Sequence, residues 1–388
     1  MKASTPKPIG EYAVGTFTFT VADDREEILK PSTMRSVACR VYYPVLKSET
    51  QGRKKAAYLS RNMAQAIRKS FMVPLNYDRM EAAGQNTSEC FEDAPQAEGK
   101  KFPLIVYHHG YNSYREGNSF LCIDLASHGY AVLSVGHSLE GMCTEFDDGT
   151  CVFYEKSLTK KTYQPFLGGI FAVLKLMKAK GTNAELAEKF NAFQNKYCRF
   201  QMGRVEEWVK DTKAALSYAR KHLGGLIDFN QGIGVTGHSF GGDTAYALCL
   251  KEPEFVCGVN IDGALFGDYQ GAVLKKPFMQ ISCKSNENIV ARVYLWHTKP
   301  VWKVLFRDMT HIGFSDMKHR ISYGTGKLNP DSMHENLCKC HLELFDAYLK
   351  KTKEKPDIRS NNTITVTEFA PDLQSFRSFF SEFLTALL

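Results

Sequence analysis

Residues 232–248, GIGVTGHSFGGDTAYAL, place a serine between two glycines where a β-type run gives way to a helical one. If 232–236 form a strand and the chain from Thr244 onward a helix, Ser239 stands on a tight turn between them. Such a turn needs small residues on both sides so that helix and strand can approach, and Gly237, Gly241 and Gly242 meet that need. It holds the serine backbone in a strained conformation with its hydroxyl exposed. It also aims the amide of Phe240 and the start of the helix at the space beside Ser239, where an oxyanion would form. The five residues Gly237 to Gly241 fit the G-x-S-x-G nucleophile elbow. A glycine-rich turn with an incidental serine has the same spelling, so strand before and helix after decide between them.

The rest of the chain supplies that setting. Alternating apolar positions at 12–21 and 35–45 predict a leading hairpin. Residues 46–101 turn polar and irregular, a loop-rich excursion with one helix at 60–71. KFPLIVYHHG, 101–110, is a continuous apolar run suited to a buried parallel strand. A helix at 119–128 and a strand at 130–135 complete a βαβ crossover. A long insertion, 138–204, contains FLGGIFAVLKLMKAKG and an Ala/Glu/Lys-rich helix. The regular pattern resumes with the helical VEEWVKDTKAALSYARKHL, the strand before Ser239, and strands at 255–261, 277–282 and 301–306. Helices are expected at 334–350 and 373–388, and no internal repeat is visible. The expected fold is α/β, a mostly parallel doubly wound sheet with helices on both faces and a cap-like insertion, the α/β-hydrolase arrangement. Residues 1–388 are read as one domain, with the hairpin and loop-rich extension at about 10–100 and the insertion at about 138–204.

A serine hydroxyl is a poor nucleophile at neutral pH and needs an imidazole to take its proton and a carboxylate to orient that imidazole. In this fold the chain order is Ser, then Asp or Glu, then His. Asp262 directly follows the apolar run 255–261, at the strand end where such a sheet carries its site; Asp268 is the second choice. Among the later histidines, His311 lies in the turn-like loop after VWKVLF, with His319 as fallback. His334 and His341 read as helix positions, and His297 precedes the strand. An oxyanion hole takes two donors, here the backbone N–H groups of Phe240 and of Tyr111, the latter in the loop after HHG. His108 and His109 precede the serine and are expected to shape that loop, and His238 to pack away from the nucleophile.

Composition narrows the class further. Hydrophobic residues at 44% and charged residues at 23% describe an ordinary globular chain. The formal charge of +7 is spread along the sequence and no nucleic-acid motif accompanies it. Eleven cysteines without a C-x-x-C pair argue against zinc sites and disulfide scaffolds. The first residues lack a signal-peptide stretch, and the longest apolar run, 166–177, is broken by Lys175 and falls short of the roughly 20 residues of a membrane span. The protein is therefore expected to be cytoplasmic, with peripheral membrane contact as an added option; N-x-[ST] matches at Asn86 and Asn361 would matter only outside the cell.

Taken together, FPLIVYHHG, IDLASHGYAVLSVGH, GVTGHSFGGDTA, CGVNIDGALFGD and the THIGFSD loop resemble the platelet-activating factor acetylhydrolase family, from about residue 10 to about 326. The resemblance implies Ser239 as nucleophile, Asp262 as acid, His311 as base, and the Tyr111 and Phe240 amides as the hole. It further implies an esterase, without metal or cofactor, of phospholipids whose sn-2 acyl chain is short or oxidised, and transient contact with a membrane surface. Two segments depart from the family pattern. HHGYN stands where a serine-histidine-glycine and a small or aliphatic residue are usual, so Tyr111 would narrow the acyl pocket. HSLE, 137–140, replaces an H-R-D type sequence and lacks its arginine. PFLGGIFAVLKLMKAK and the C-terminal LQSFRSFFSEFLTALL are the amphipathic segments that packing on the domain or a membrane could cover. A general carboxylesterase of small soluble esters shares every one of these residues, and a catalytically silent hydrolase-fold binding protein is the alternative outside enzymes.

Overall fold

The computed structural model describes residues 5–72, 75–97, 99–321 and 323–371. The leading hairpin forms as its alternation predicts: β1 (Ala13–Glu26) pairs antiparallel with β2 (Met34–Val45), Thr18 opposite Arg40. The following excursion holds more order than its composition suggests. It contains a three-residue strand β3 (Lys55–Ala57), the expected helix α1 (Arg61–Phe71), a short α2 (Tyr77–Ala82) and β4 (Thr87–Glu92). Ser60 caps α1 by accepting the Met63 N–H and Asn76 caps α2 through Arg79 N–H, each satisfying an otherwise orphaned donor.

The βαβ unit follows as β5 (Phe102–His108), α3 (Ser119–Ser127) and β6 (Ala131–Val135). The insertion comprises a small hairpin, β7 (Cys143–Glu145) with β8 (Cys151–Phe153), and the helices α4 (Ser157–Met177) and α5 (Asn183–Tyr197). Then come α6 (Arg199–His222), β9 (Ile227–His238), α7 (Phe240–Lys251), β10 (Phe255–Ile261), β11 (Phe278–Cys283), β12 (Val301–Phe306), α8 (Pro330–Tyr348) and an edge strand absent from the sequence expectation, β13 (Ile364–Phe369). The helix expected at 373–388 lies outside the described residues.

The large sheet runs β13-β12-β11-β10-β9-β5-β6-β2-β1-β4-β3, parallel from β12 through to β6 and antiparallel at β13 and at the leading hairpin. Each strand in its centre is buried on both faces. In β5, Leu104 and Val106 join the core beneath α6 and α7, while Ile105 and Tyr107 join the core beneath α3 and α8. That two-residue alternation between two apolar layers is the reason the run contains no polar residue before His108. The chain passes from β5 outward to β6 and returns as β9 on the other side of β5. The loops after β5 and β9 therefore meet at a topological switch point, the place where an open parallel sheet presents a crevice.

All eleven cysteines are unpaired. Asn86 is buried and bridges the backbone of Leu59 in both directions, which takes it out of use as a glycosylation acceptor. Among the described residues no helix is long and apolar enough to cross a membrane.

Candidate active site

β9 ends at His238 and α7 begins at Phe240, leaving Ser239 alone on the turn with φ 58° and ψ −121°. A non-glycine residue holds such a left-handed conformation only when its surroundings over-determine it. Here the Ser239 N–H donates to Ile261 O at 2.8 Å, and its carbonyl accepts Gly242 N–H at 2.9 Å. Helix and strand are so close that a Cβ on Gly237 would meet the Gly241 carbonyl, and one on Gly241 the His108 carbonyl. The sequence expectation of small flanking residues thus has a direct steric cause.

Ser239 Oγ lies 2.8 Å from His311 Nε2, and His311 Nδ1 lies 2.8 Å from Asp262 Oδ2. With Nδ1 donating to the carboxylate, Nε2 carries the lone pair that faces the hydroxyl. Asp262 is buried and receives three further donors: Cys283 N–H on Oδ1 at 2.8 Å, and the Asn286 amide at 2.8 Å and Cys283 thiol at 3.2 Å on Oδ2. Asp268 is exposed and caps Gln270 N–H instead, and His319 packs its ring edge-on against Phe120, with Nδ1 3.9 Å from Asp331. Neither second choice joins the group at Ser239. His341 bonds Thr236 and Leu337 O from within α8. His238 does not face the serine hydroxyl: its Nε2 donates to His311 O at 2.9 Å and the two rings stand 4.8 Å apart. Burial, then the neighbouring His311, push the His238 imidazole down to about 3, so it stays neutral and holds the His311 loop by a hydrogen bond.

The loop after β5 brings Gly110 against Ser239, close enough that a Cβ on Gly110 would stand 3.0 Å from Ser239 Cβ. His109 Nδ1 donates to the Gly110 carbonyl at 2.7 Å. Its Nε2 accepts the backbone N–H of His137 at 3.1 Å, which fixes the tautomer. The Gly110 carbonyl and the Tyr111 N–H belong to one planar peptide and point in opposite directions. His109 and the Ser113 N–H, which donates to the same carbonyl at 3.0 Å, therefore set the direction of the Tyr111 N–H by anchoring the far side of its peptide. The Tyr111 ring packs edge-on against Phe240 at 5.7 Å.

The HSLE segment is the hub beneath this loop. His137 stacks on Trp208 at 3.6 Å and donates from Nδ1 to Asp211 at 2.8 Å. Glu140 takes Arg204 at two oxygens and the Trp208 indole N–H, and Asn112 N–H donates to its carbonyl at 2.8 Å. Burial alone would raise the Asp211 carboxyl, but the Arg35 guanidinium, paired with it at 2.6 Å, and the His137 hydrogen bond hold it far below the usual range. Sequence reading missed these supports, as it missed Cys283 and Asn286. Strand adjacency is the signal that finds the latter pair: Ile261 and Ile281 are register partners, so the last residue of β11 and those just after it flank Asp262.

A cavity of about 250 Å³ opens over Ser239, lined by Gly110, Tyr111, Met142, His238, His311 and Ser70 of α1, among others. A second group of side chains could reach a shared cation: Asp124, His334 and Cys338. The Cys338 sulfur lies 3.5 Å and 3.8 Å from the two His334 nitrogens, nearly equidistant, so it faces the imidazole rather than one lone pair. Asp124 accepts Ile9 N–H on Oδ1 at 3.0 Å, and its Oδ2 lies 4.0 Å from His334 Nε2 between α3 and α8.

In the solved structures a ferulic acid esterase from Streptomyces cinnamoneus superposes with a TM-score of 0.65 at 19% identity, covering 92% of this chain and 95% of that one, which establishes the α/β-hydrolase fold. Curated proteins named platelet-activating factor acetylhydrolase are similar at 23% identity over 242 residues in Cavia porcellus (61% of this chain, 52% of that protein) and 26% over 218 residues in Gallus gallus (51% and 48%). A probable 1-alkyl-2-acetylglycerophosphocholine esterase of Arthroderma benhamiae matches at 21% over 233 residues, 58% of this chain and 47% of that protein. The chain spans about half the length of the curated relatives it matches. The family profile described as platelet-activating factor acetylhydrolase, isoform II, matches residues 1–291, about three quarters of the sequence, and on that match the chain belongs to the platelet-activating factor acetylhydrolase isoform II family.

Proposed function

We propose that this protein is a serine esterase that hydrolyses the short or oxidised sn-2 acyl ester of phospholipids through an acyl-enzyme on Ser239. One observation carries the reading: a strained serine, an imidazole and a buried carboxylate in line, with contacts of 2.8 Å and 2.8 Å. His311 takes the Ser239 proton as the oxygen attacks the ester carbonyl, and Asp262 stabilises the imidazolium that forms. The tetrahedral oxyanion accepts hydrogen bonds from the Tyr111 and Phe240 backbone N–H groups. Collapse breaks the bond to the alcohol, which leaves with the proton from His311. Water, deprotonated by the same imidazole, then attacks the acyl-enzyme and releases the acid and free Ser239.

Family membership supports the phospholipid substrate, and the residue chemistry needs no cofactor. The whole chain acts as one catalytic domain in this reading. Phe171 and Leu174 of α4, 82% and 47% exposed, favour transient contact with a membrane surface, and the unpaired cysteines favour the cytoplasm. The test is hydrolysis of sn-2 acyl phospholipids from acetyl to palmitoyl beside p-nitrophenyl acetate, with Ser239→Ala as the blank. A preference for short-chain phospholipid that vanishes in the blank is expected. Turnover of the soluble ester alone would leave a general carboxylesterase, and no Ser239-dependent turnover would leave a binding protein.

A further inference from the structure

Next to the cavity at Ser239 lies a second one of about 230 Å³ with a different character. Its lining is Tyr58, Leu59, Ile67, Leu75, Met80 and Ile321, with Tyr114 and Met317 as shared walls between the two cavities. α1 borders both: Ile67 faces the apolar cavity and Ser70, three residues on, the one at Ser239. Two polar side chains interrupt the apolar lining, Gln85 and Arg320. The Arg320 guanidinium lies 4.4 Å from the Tyr58 ring centroid and 5.4 Å from that of Phe120, and Nη2 donates to Thr5 Oγ1 at 3.1 Å, so its charge is engaged in the wall.

We infer that this cavity is a binding site for an unbranched hydrocarbon chain of the ester whose carbonyl sits at Ser239, an inference that rests on the esterase reading for its chemistry and on the cavity alone for its binding. Apolar walls reward a methylene chain and offer little to a head group. At roughly 30 Å³ per methylene, about the share of a liquid water molecule, the space holds some six to eight carbons. Tyr114 and the unbranched, adaptable Met317 side chain are walls of both cavities, and a chain reaching from Ser239 into the second one would pass beside them. The chain could belong to the acid or to the alcohol half of the ester, since the shared wall stands beside both the loop after β5 and the His311 loop.

Two ester series separate these sources: p-nitrophenyl alkanoates of two to twelve carbons, and acetates of primary alcohols over the same range followed by acid release. In one series kcat/KM is expected to rise, by up to about fourfold per methylene as burial of one CH₂ allows, to a plateau near eight carbons. Met80→Trp and Leu75→Trp, at half-buried positions on the rim where an indole can be accommodated, are expected to cut the eight-carbon to two-carbon ratio at least tenfold. The series that breaks names the chain. Ratios that ignore chain length in both series, or tryptophan variants that lower all esters alike, overturn the inference. Calorimetric binding of 1-octanol keeps the test independent of turnover: the wild type should bind it and Met80→Trp should weaken it at least tenfold. Octanol that fails to bind folded wild-type protein sinks the site even if the esterase stands. Octanol that binds while no ester is hydrolysed in a Ser239-dependent way keeps the site and sinks the esterase.

Discussion

The floor and the wall of the cavity at Ser239 are built on different principles. The floor hangs from the ends of adjacent parallel strands: Gly110 just past β5, Ser239 after β9, Asp262 after β10, with Cys283 closing β11. Strand register sets these positions relative to one another, and backbone groups supply many of the contacts that hold them. The wall comes from Ser70 of α1 and from Tyr114, Met142 and Met317 of the segments after β5, β6 and His311, and behind it Met63, Ile67 and Phe120 pack with these three in one apolar cluster. Chemistry is thus placed where the backbone cannot shift, and substrate fit where side chains can be exchanged. Changes to the floor should alter kcat for every ester, and changes to the wall should alter ratios between esters.

The largest expected effects test the floor. Ser239→Ala and His311→Ala should each lower kcat by about 10⁴ to 10⁶, with loss of fluorophosphonate labelling in the former. Asp262→Asn should cost about 10⁴, because an amide at that place stabilises the wrong tautomer of His311. Asp268→Asn, at an exposed residue outside the group, should change kcat by less than twofold. Equal losses at Asp262 and Asp268 would remove the strand-end assignment of the acid.

A smaller effect separates the loop after β5 from the wall facing it. His109→Phe keeps a buried ring but removes one of the two donors to the Gly110 carbonyl, leaving the Tyr111 peptide held there by the Ser113 N–H alone. We expect kcat to fall about 10- to 100-fold with little change in KM, below the 10² to 10³ of losing an oxyanion donor outright. A KM effect without a kcat effect would mean the loop binds substrate but does not orient a donor. Asn286→Ala should cost about tenfold in kcat, since Asp262 retains Cys283 N–H and His311.

The same division explains what could be read in the sequence. That Ser239, Asp262 and His311 would meet was legible because the elbow motif marks Ser239 and the other two follow strand-like runs, 255–261 and 301–306, at the same sheet edge. The leading hairpin, the βαβ unit and α1 were legible for similar reasons of periodicity. The excursion at 46–101 was not, beyond α1. β3 has three residues, α2 has six, and β4 owes its place to pairing with β1 and β3, contacts distant in sequence. β13 likewise gains its identity from β12 across a gap of more than fifty residues. Helix α6 begins at Arg199, inside what the composition assigned to the insertion, and its first turns carry Arg204 to Glu140. His109 was expected to shape its loop from its place at the strand end, whereas supports such as Asn286 and Arg204 are single polar residues whose meaning depends on which segment they meet, and no local pattern marks them.

The smallest effect concerns acid, and it too should divide the two regions. The floor is underlain by buried imidazoles: burial pushes His109 and His238 down to about 3, each helped by a neighbouring histidine, and His341 to about 4. Their unfolded value is near 6.5, so between about pH 6.5 and 4 the unfolded chain binds more protons than the folded one. Stability must then rise with pH in that window and be lost as pH falls through it, by at most about 1.4 kcal/mol per pH unit per site. Two buried carboxyls act in the opposite sense. Burial raises Asp243 and Asp316 to about 7, against their hydrogen bonds, so their contribution is present at low pH and is lost as pH rises toward 7. Three imidazoles against two carboxyls, with His319 lowered by burial to about 4 as well, leave a net loss of stability on acidification. His341→Gln can still bond Thr236 or Leu337 O from the same helix position but cannot titrate. Urea midpoints at pH 7, 5.5 and 4.5 should therefore converge more in this variant than in wild type, by up to about 1 kcal/mol per pH unit. A variant whose midpoints fall as steeply as those of wild type would show that His341 does not carry the acid sensitivity and leave it to His109, His238 and His319.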